Sequence, residues 1–289
     1  PNSPIPNCQI IINNKIVHFF SNIKKIKKIK SSIKYKKIYF YDFSKFVEVL
    51  NSLKGKNFSI DKNSCSIFNK SIISSKYNIL NEIDPCYALK AIKNKIEIKN
   101  MIDAHIIDGA ALTKFLYWIK NKKNFNFTEI DAEKKLENFR KKNKNFLYPS
   151  FNTIAGAGPN GAIIHYRASK SSNRKINKND IFLCDSGGQY NYGTTDVTRT
   201  ISFAKPSSKI KNIFTRVLKG HISVFSTNLN KIDTGEKIDK RARFFLNKIG
   251  LDYGHGTGHG VGYFLNVHEG PQSISKYNNV KILPGMILS

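Results

Sequence analysis

Residues 181–203 read IFLCDSGGQYNYGTTDVTRTISF, and the reading of this stretch decides the fold. Two runs rich in β-branched and aromatic residues, Ile181 to Tyr190 and Thr194 to Phe203, flank a Tyr-Asn-Tyr-Gly turn. That pattern predicts a β-hairpin. Folding it about the turn brings Asp185 and Asp196 nearly opposite each other on neighbouring strands. Like charges facing each other across an antiparallel pair repel, and two carboxylates sharing a site cannot both stay ionised without compensation. A cation between them removes the penalty. Two solvated aspartates are the ordinary alternative, but Phe182, Leu183, Val197 and Ile201 make both strands look buried. The pair reads as a metal site.

A second stretch, residues 254–271, reads GHGTGHGVGYFLNVHEGP and holds three histidines and six glycines. His255 and His259 have the i, i+4 spacing that places two zinc ligands on one helical face in some proteases. The glycines between and around them make a helix improbable, and the glutamate that would follow the first histidine is absent. The expectation is an irregular loop whose backbone can approach a ligand closely. A single histidine is usually a packed or surface residue. Three in a glycine loop, beside a paired-aspartate hairpin, point to a site.

These residues resemble a known family. DSGGQY-x2-GTTDVTRT, then GHGTGHGVG-x3-NVHEGP, together with GPNGAIIHY at 158–166, are similar to aminopeptidase P, the Xaa-Pro aminopeptidases of the pita-bread metallopeptidase group, and most of all to the cytosolic eukaryotic type. The resemblance runs from about residue 85 to the end, and more weakly over residues 1–84. It implies an α+β protein: a pita-bread (creatinase/aminopeptidase) domain at 85–289, preceded at 1–84 by part of a small, non-catalytic α/β domain. The family's first domain would lie upstream of Pro1. By the same resemblance Asp185 would hold one metal, Asp196 would bridge two, and His259 would bind the other. His165, His255 and His268 would hydrogen-bond the substrate carbonyl and the developing oxyanion, and Thr198 and Arg199 would support Asp196 from behind. The cofactor implied is a pair of divalent ions. An oxygen-dominated donor set with one imidazole favours Mn²⁺, with Co²⁺ or Zn²⁺ as alternatives.

The family pattern also has two glutamates after its Pro-Gly-Met segment, the first in Glu-Pro-Gly, and here LPGMILS ends at Ser289. The expectation is that the intact gene product is an aminopeptidase acting on peptides with N-terminal Xaa-Pro, and that residues 1–289 alone are inactive and unstable.

Composition bounds the alternatives. The 289 residues carry 48 Lys+Arg against 20 Asp+Glu, a formal charge of +28. With 40% hydrophobic and 12% aromatic residues the chain is globular, not disordered. Such a charge can advertise a nucleic-acid or anionic-membrane partner. The lysines are spread throughout, however, and the joint abundance of Ile, Asn and Lys is what AT-rich codons encode. Neither nucleic acid nor membrane is therefore expected as a partner. The four cysteines show no CxxC or framework spacing, which suits free thiols in a reducing compartment, and the cytoplasm is the expected location. Cys184 alternates to the strand face opposite Asp185 and reads as packing. No apolar run approaches the ~20 residues that span a membrane. A homodimer is compatible with the resemblance. Competing readings are prolidase or methionine aminopeptidase within the same fold, then a pita-bread protein that binds without catalysis, then a basic nucleic-acid binder.

Along residues 1–84, strand-like segments (8–12, 15–20, 37–41, 58–60, 66–68) alternate with a helical stretch at 42–53. The Lys/Ile run IKKIKKIKSSIKYKKI at 23–38 predicts an amphipathic helix or a basic strand. Asp84-Pro85 is a natural joint. Asn94 to Glu97 reads as a capping box opening a helix whose apolar face would be Ile98, Met101, Ile102, His105, Gly109, Leu112, Leu116 and Ile119. Further helices are expected from Thr128 to Lys142, around Ile210 to Val224, and from Gly235 to Ile249, all packing the core. Residues 151–166 are expected to form a second hairpin, turning at Gly158-Pro-Asn-Gly161 and ending in His165.

Overall fold

The structure is a computed structural model and describes residues 7–29, 33 and 35–289. It divides into two compact units between Tyr87 and Ala88.

In the first unit β1 (Cys8–Asn13) and β2 (Ile16–Ser21) pair antiparallel, and β3 (Ile38–Tyr41) lies parallel to β2. The Lys/Ile run begins as a helix, α1 (Ile23–Ile29); its positions 30–32 and 34 lie outside the described residues. A short 3-10 turn leads into α2 (Phe46–Ser52). The remaining strands, β4 (Asn57–Ile60) and β5 (Asn78–Asn81), pair parallel. Parallel neighbours need a crossover between them, and α3 (Ile67–Ser74) supplies it. The strand expected at 66–68 is therefore the start of this helix. Ser66 caps it, its hydroxyl accepting from the Asn69 amide at 3.1 Å, which is the service a serine gives at that position. Phe20, Leu50, Ile73 and Tyr77 form the core of this unit, and the Tyr77 hydroxyl donates to the Leu50 carbonyl at 2.7 Å.

A short helix, α4 (Pro85–Ala91), precedes the long α5 (Lys95–Lys120). The capping box at Asn94 and Glu97 forms as expected, and Thr128 with Asp131 makes another at the start of α6 (Glu129–Arg140). The buried stripe of α5 is not the expected one. It runs through Met101, Ala104, Asp108, Ala111, Leu112, Phe115 and Ile119, while Ile102 is exposed. The rotation has a physical cause: Asp108 is drawn inside by the wholly buried Arg140 of α6. Arg140 Nε donates to Asp108 Oδ1 at 2.7 Å and its Nη2 to Oδ2 at 2.9 Å. His105 is half-buried, with Nδ1 2.8 Å from the Met101 carbonyl.

Two three-stranded sheets follow. One joins β6 (Phe146–Pro149), β9 (Gly188–Tyr190) and β10 (Gly193–Thr194), with β9 in the centre. The other joins β7 (Ile154–Ala157), β8 (Ile181–Ser186) and β11 (Val197–Ser202), with β8 in the centre. The hairpin expected at 181–203 is thus real but crosses from one sheet to the other. Its register is unbroken: Thr194 faces Gln189, Val197 faces Ser186, and Thr198 faces Asp185. Alternation then sends Phe182 and Cys184 into a core shared with Leu112, Phe115, Ile119, Ala132 and Leu136, and sends Asp185 to the other face. Burial pushes the Cys184 thiol up to about 12, consistent with packing.

The change of sheet happens at Gly187. A methyl there would run into the Thr195 carbonyl and the Ser150 hydroxyl, which are themselves bonded at 2.8 Å. Overpacking of this kind costs about 1–3 kcal/mol. Gly187→Ala is accordingly expected to lower the melting temperature by several degrees, read by circular dichroism; an unchanged midpoint would contradict the close approach.

The second expected hairpin does not form. After β7 the chain enters a 3-10 turn at Gly158–Ala162, and residues 163–166 do not return as a strand. Last come α7 (Ser208–Phe225) and α8 (Gly235–Asn247). They meet where Gly220 lies against the backbone of Ala242. Within α7 only Gly220 is buried, and Phe214, Leu218 and Ile222 stay exposed, so much of the apolar stripe expected in the core lies at the surface, while Val224 packs against Ile238, Ile274 and Ile282. Two short strands, β12 (Gly258–His259) and β13 (Ser273–Ile274), pair antiparallel. Among the described residues no helix is long and apolar enough to cross a membrane.

Candidate metal centre

The hairpin register decides where the two aspartates point. Asp185 faces Thr198, and continuing the same register sets Asp196 opposite Gly187. The two carboxylates are therefore diagonal neighbours on one face, two positions apart, rather than directly opposed. Diagonal side chains on a sheet still feel each other. Burial, then the charge of Asp196, pushes the Asp185 carboxyl above its ordinary range; a hydrogen bond from Thr198 and the neighbouring His259 and His165 act against the rise.

The glycine loop brings His259 to the pair. Its Nε2 lies 3.0 Å from Asp196 Oδ2, with the Asp196 side chain 9% exposed. Its Nδ1 is 3.0 Å from the Gly260 carbonyl, an acceptor only, so Nδ1 bears a proton and Nε2 is the nitrogen turned toward the carboxylates. The backbone of His259 is fixed by paired hydrogen bonds with Ser289, both 2.9 Å. Bonds to Asp196 and to Gly260 raise the His259 pKa against the opposing effect of burial. His268 packs edge-on against the His259 ring at 4.0 Å between centroids, and His165 stands 6.4 Å from His268. Burial and the nearby imidazoles hold His268 below the ordinary histidine range, with Asp196 acting against the fall.

Of the six residues expected at the site, five thus converge: Asp185, Asp196, His259, His268 and His165. His255 is set apart from these. Its ring contacts Tyr253 at 5.7 Å and its Nδ1 lies 2.6 Å from the Gly256 carbonyl. Its loop does adjoin the His165 loop, since a methyl at Gly254 would sit 3.9 Å from Ile164 Cδ1. Thr198 supports Asp185 rather than Asp196. Arg199 lies on the opposite face, across from Cys184, with its guanidinium on the Thr198 carbonyl.

Among the described residues no three His, Cys, Asp or Glu side chains form a ready-made metal-binding group; Asp196 and His259 are turned onto each other. The donors nevertheless fit a divalent ion. Asp185 Oδ1 is a buried carboxylate oxygen with no hydrogen-bond partner, and its carboxylate is destabilised by a second one. An orphaned buried acceptor of this kind normally has a missing cation or water. A histidine whose other ring nitrogen is held by a backbone carbonyl is also the usual form of a metal ligand.

Four buried charge centres that the sequence reading missed, one of them an ion pair, hold these side chains in place. Arg140, besides gripping Asp108, donates to the Ser186 hydroxyl at 3.0 Å, next to Asp185. Arg243 on α8 spans Asp239 Oδ2 (2.7 Å), Asp252 Oδ1 (2.8 Å) and the carbonyls of Tyr253 (2.8 Å) and His255 (2.5 Å). Asp239 Oδ1 accepts from the Thr257 hydroxyl at 2.8 Å, so one turn of α8 aligns the whole His255–His259 loop. Lys93 and Glu269, both fully buried, pair at 2.7 Å beside His268. Glu129 is the fourth. None shows in the sequence, because a charged residue beside an apolar stripe reads as a solvated edge.

The Arg243 clamp carries a pH dependence. Hydrogen bonds from Arg243 and Lys276 depress Asp252 to about 2. A depressed carboxyl contributes stability above its unfolded value of about 3.8 and loses it as pH falls toward about 2. Asp252→Asn is therefore expected to melt below the native protein at neutral pH, the gap closing as pH falls through that window. A gap independent of pH would contradict this.

Comparison with known proteins identifies the family and the fold. Residues 99–289 match the family described as Metallopeptidase family M24, and residues 1–97 match the Creatinase/Prolidase N-terminal domain. The chain is 47% identical over 211 residues to the probable Xaa-Pro aminopeptidase P of Paracoccidioides lutzii, covering 71% of this chain and 34% of that one. It is 50% identical over 204 residues to aminopeptidase P2 of Arabidopsis thaliana, covering 69% and 29%. It thus spans about a third of the length of the curated relatives it matches. Among solved structures it is similar to an X-prolyl aminopeptidase from Caenorhabditis elegans, described as a cytosolic enzyme with a di-nuclear active site, with a TM-score of 0.86 at 29% identity over 100% of this chain and 48% of that one. A prolidase from Pyrococcus furiosus matches with a TM-score of 0.78 at 26% identity, over 97% and 80%. These matches bear out the pita-bread fold and the creatinase-like first domain.

Proposed function

The chain belongs to metallopeptidase family M24, and from that premise we propose that it forms the metal-binding part of an Xaa-Pro aminopeptidase. The observation that carries this reading is the unsatisfied Asp185 Oδ1 facing an Asp196–His259 pair. Asp185, Asp196 and His259 would hold two divalent ions, Mn²⁺ in the first instance. Ions there supply Lewis acidity toward water and toward the scissile carbonyl.

The chain's own residues do the rest. His268, whose surroundings disfavour its charged form, can donate one hydrogen bond to the substrate carbonyl. His165, exposed on its turn, offers a second donor where charge develops on that oxygen, whereas His255 is turned to Tyr253 and the Gly256 carbonyl. The loop itself is closely packed: a methyl at Gly258 would strike the Ser289 carbonyl and one at Gly260 the Glu269 carbonyl. A proline after the cleaved bond has no N–H to offer, so selection for it rests on shape and on contacts to carbonyls. The relatives named above support this substrate class, and the cytosolic relative supports a cytosolic setting.

The test, run on the intact gene product, is cleavage of a tripeptide with proline second, compared with its alanine counterpart and with an Xaa-Pro dipeptide. Each is assayed after chelation and after return of Mn²⁺. Release of the first residue from the proline tripeptide alone, and only with the ion restored, is the expected result. Preference for the dipeptide would make the protein a prolidase, and retention of Mn²⁺ without cleavage would leave a binding role.

A further inference from the structure

His165 has a left-handed backbone, φ 55°, which non-glycine residues adopt rarely and only when the surroundings impose it. The surroundings converge on one carboxylate. Glu129, the first residue of α6, is wholly buried. Its Oε1 accepts from the Ala157 amide at 2.8 Å and from Asn160 Nδ2 at 3.0 Å. Its Oε2 accepts from the Tyr166 hydroxyl at 2.7 Å, the Arg174 amide at 3.0 Å and Asn160 Nδ2 at 3.1 Å. These donors mark the entry, middle and exit of the loop that carries His165. Asn160 Nδ2 also reaches the Tyr166 hydroxyl at 2.8 Å, which closes the ring of contacts. Helix N-termini favour a negative charge, and every partner of this carboxylate is a donor.

We propose that Glu129 is the positioning residue for His165: by tying both ends of the 157–174 loop to the start of α6, it imposes the left-handed turn that aims the imidazole at His268. The inference rests on the role given to His165 above. Glutamine is the informative replacement, because it keeps the shape but turns an NH₂ toward groups that, apart from the Tyr166 hydroxyl, can only donate. Such a mismatch leaves buried donors unpaired and releases the loop, while Asp185, Asp196 and His259 sit on other elements.

The experiment follows the His165 Cε1–Hε1 resonance, assigned by its loss in His165→Ala, in native protein and in Glu129→Gln. The expected result is a displaced or broadened His165 signal with unchanged Mn²⁺ retention. In the active peptidase kcat falls about 10²-fold, the scale of a misplaced catalytic contact, and Glu129→Gln adds no further loss in a His165→Ala background. An unmoved His165 signal overturns the proposal. So does a loss from Glu129→Gln of the same size with and without His165, which would make Glu129 merely structural. If His165→Ala leaves kcat unchanged, the catalytic role of His165 is wrong, while the resonance still decides whether Glu129 holds it.

Discussion

In the intact gene product, replacing Asp196 with asparagine is expected to lower kcat/KM on Xaa-Pro peptides by about 10³-fold or more, because metal-ion catalysis supplies several kcal/mol and each 1.4 kcal/mol is tenfold. Asp196 is the residue through which the other donors meet. Its Oδ2 is 3.0 Å from His259, and its charge is the second cause, after burial, of the raised Asp185 carboxyl. Asparagine keeps the shape and can still bond to His259, but it removes the charge that makes a cation necessary. Asp185 is then relieved of its like-charged neighbour and ionises more readily, yet alone it holds an ion weakly. The check is steady-state kinetics with added Mn²⁺ alongside metal analysis after dialysis. Both should fail together. Near-native activity in the variant would remove Asp196 from the centre.

The largest effect on stability is expected at Asp108. Asp108→Asn leaves Arg140 buried with the Ser186 hydroxyl and no full counter-charge, and breaking a buried pair from one side costs about 3–5 kcal/mol. The Tyr190 hydroxyl, which donates to Asp108 Oδ1 at 2.7 Å, also loses a charged acceptor. Burial, then Asp108, pushes the Tyr190 phenol far above its usual value, so it remains a donor throughout the accessible pH range. At about 2–4 °C per kcal/mol for a unit of this size, the melting temperature should fall by roughly 10 °C. The double change Asp108→Leu with Arg140→Met separates lost charge from lost packing: it removes both buried ions and should recover much of the loss. A single replacement costing under about 1 kcal/mol would mean that the pair is not sealed from solvent as its geometry indicates.

How far the sequence reveals this protein differs between its parts. The aspartate hairpin is legible because period-two alternation and a tight turn fix register locally; even so, the reading put the carboxylates face to face, where the register makes them diagonal. Only the three-dimensional crowding at Gly187 explains why the hairpin changes sheet there. The capping boxes at Asn94 and Thr128 are legible for the same reason: they are contacts between residues three apart. The stripe of α5 is misplaced because a buried charge is assumed to be a surface one. Asp108 can go inside only because Arg140, 32 residues on, goes with it. Glu129 and Arg243 stay hidden likewise, since their partners lie up to 45 and 12 residues away. The strand expected at 66–68 fails because a three-residue β-branched and aromatic run says less than a capping serine. The setting expected for His165 does not hold: the turn at 158–162 is helical and releases no second strand.

The claim on which the rest depends is that Asp185, Asp196 and His259 form one cation site. Crystals equilibrated with Mn²⁺, with an anomalous difference map calculated from data at the manganese edge, test it without reference to activity. The account predicts anomalous density touching all three side chains, with His259 Nε2 turned from Asp196 to the ion. Density elsewhere, with the Asp196–His259 bond intact and Asp185 Oδ1 still unpartnered, would contradict it.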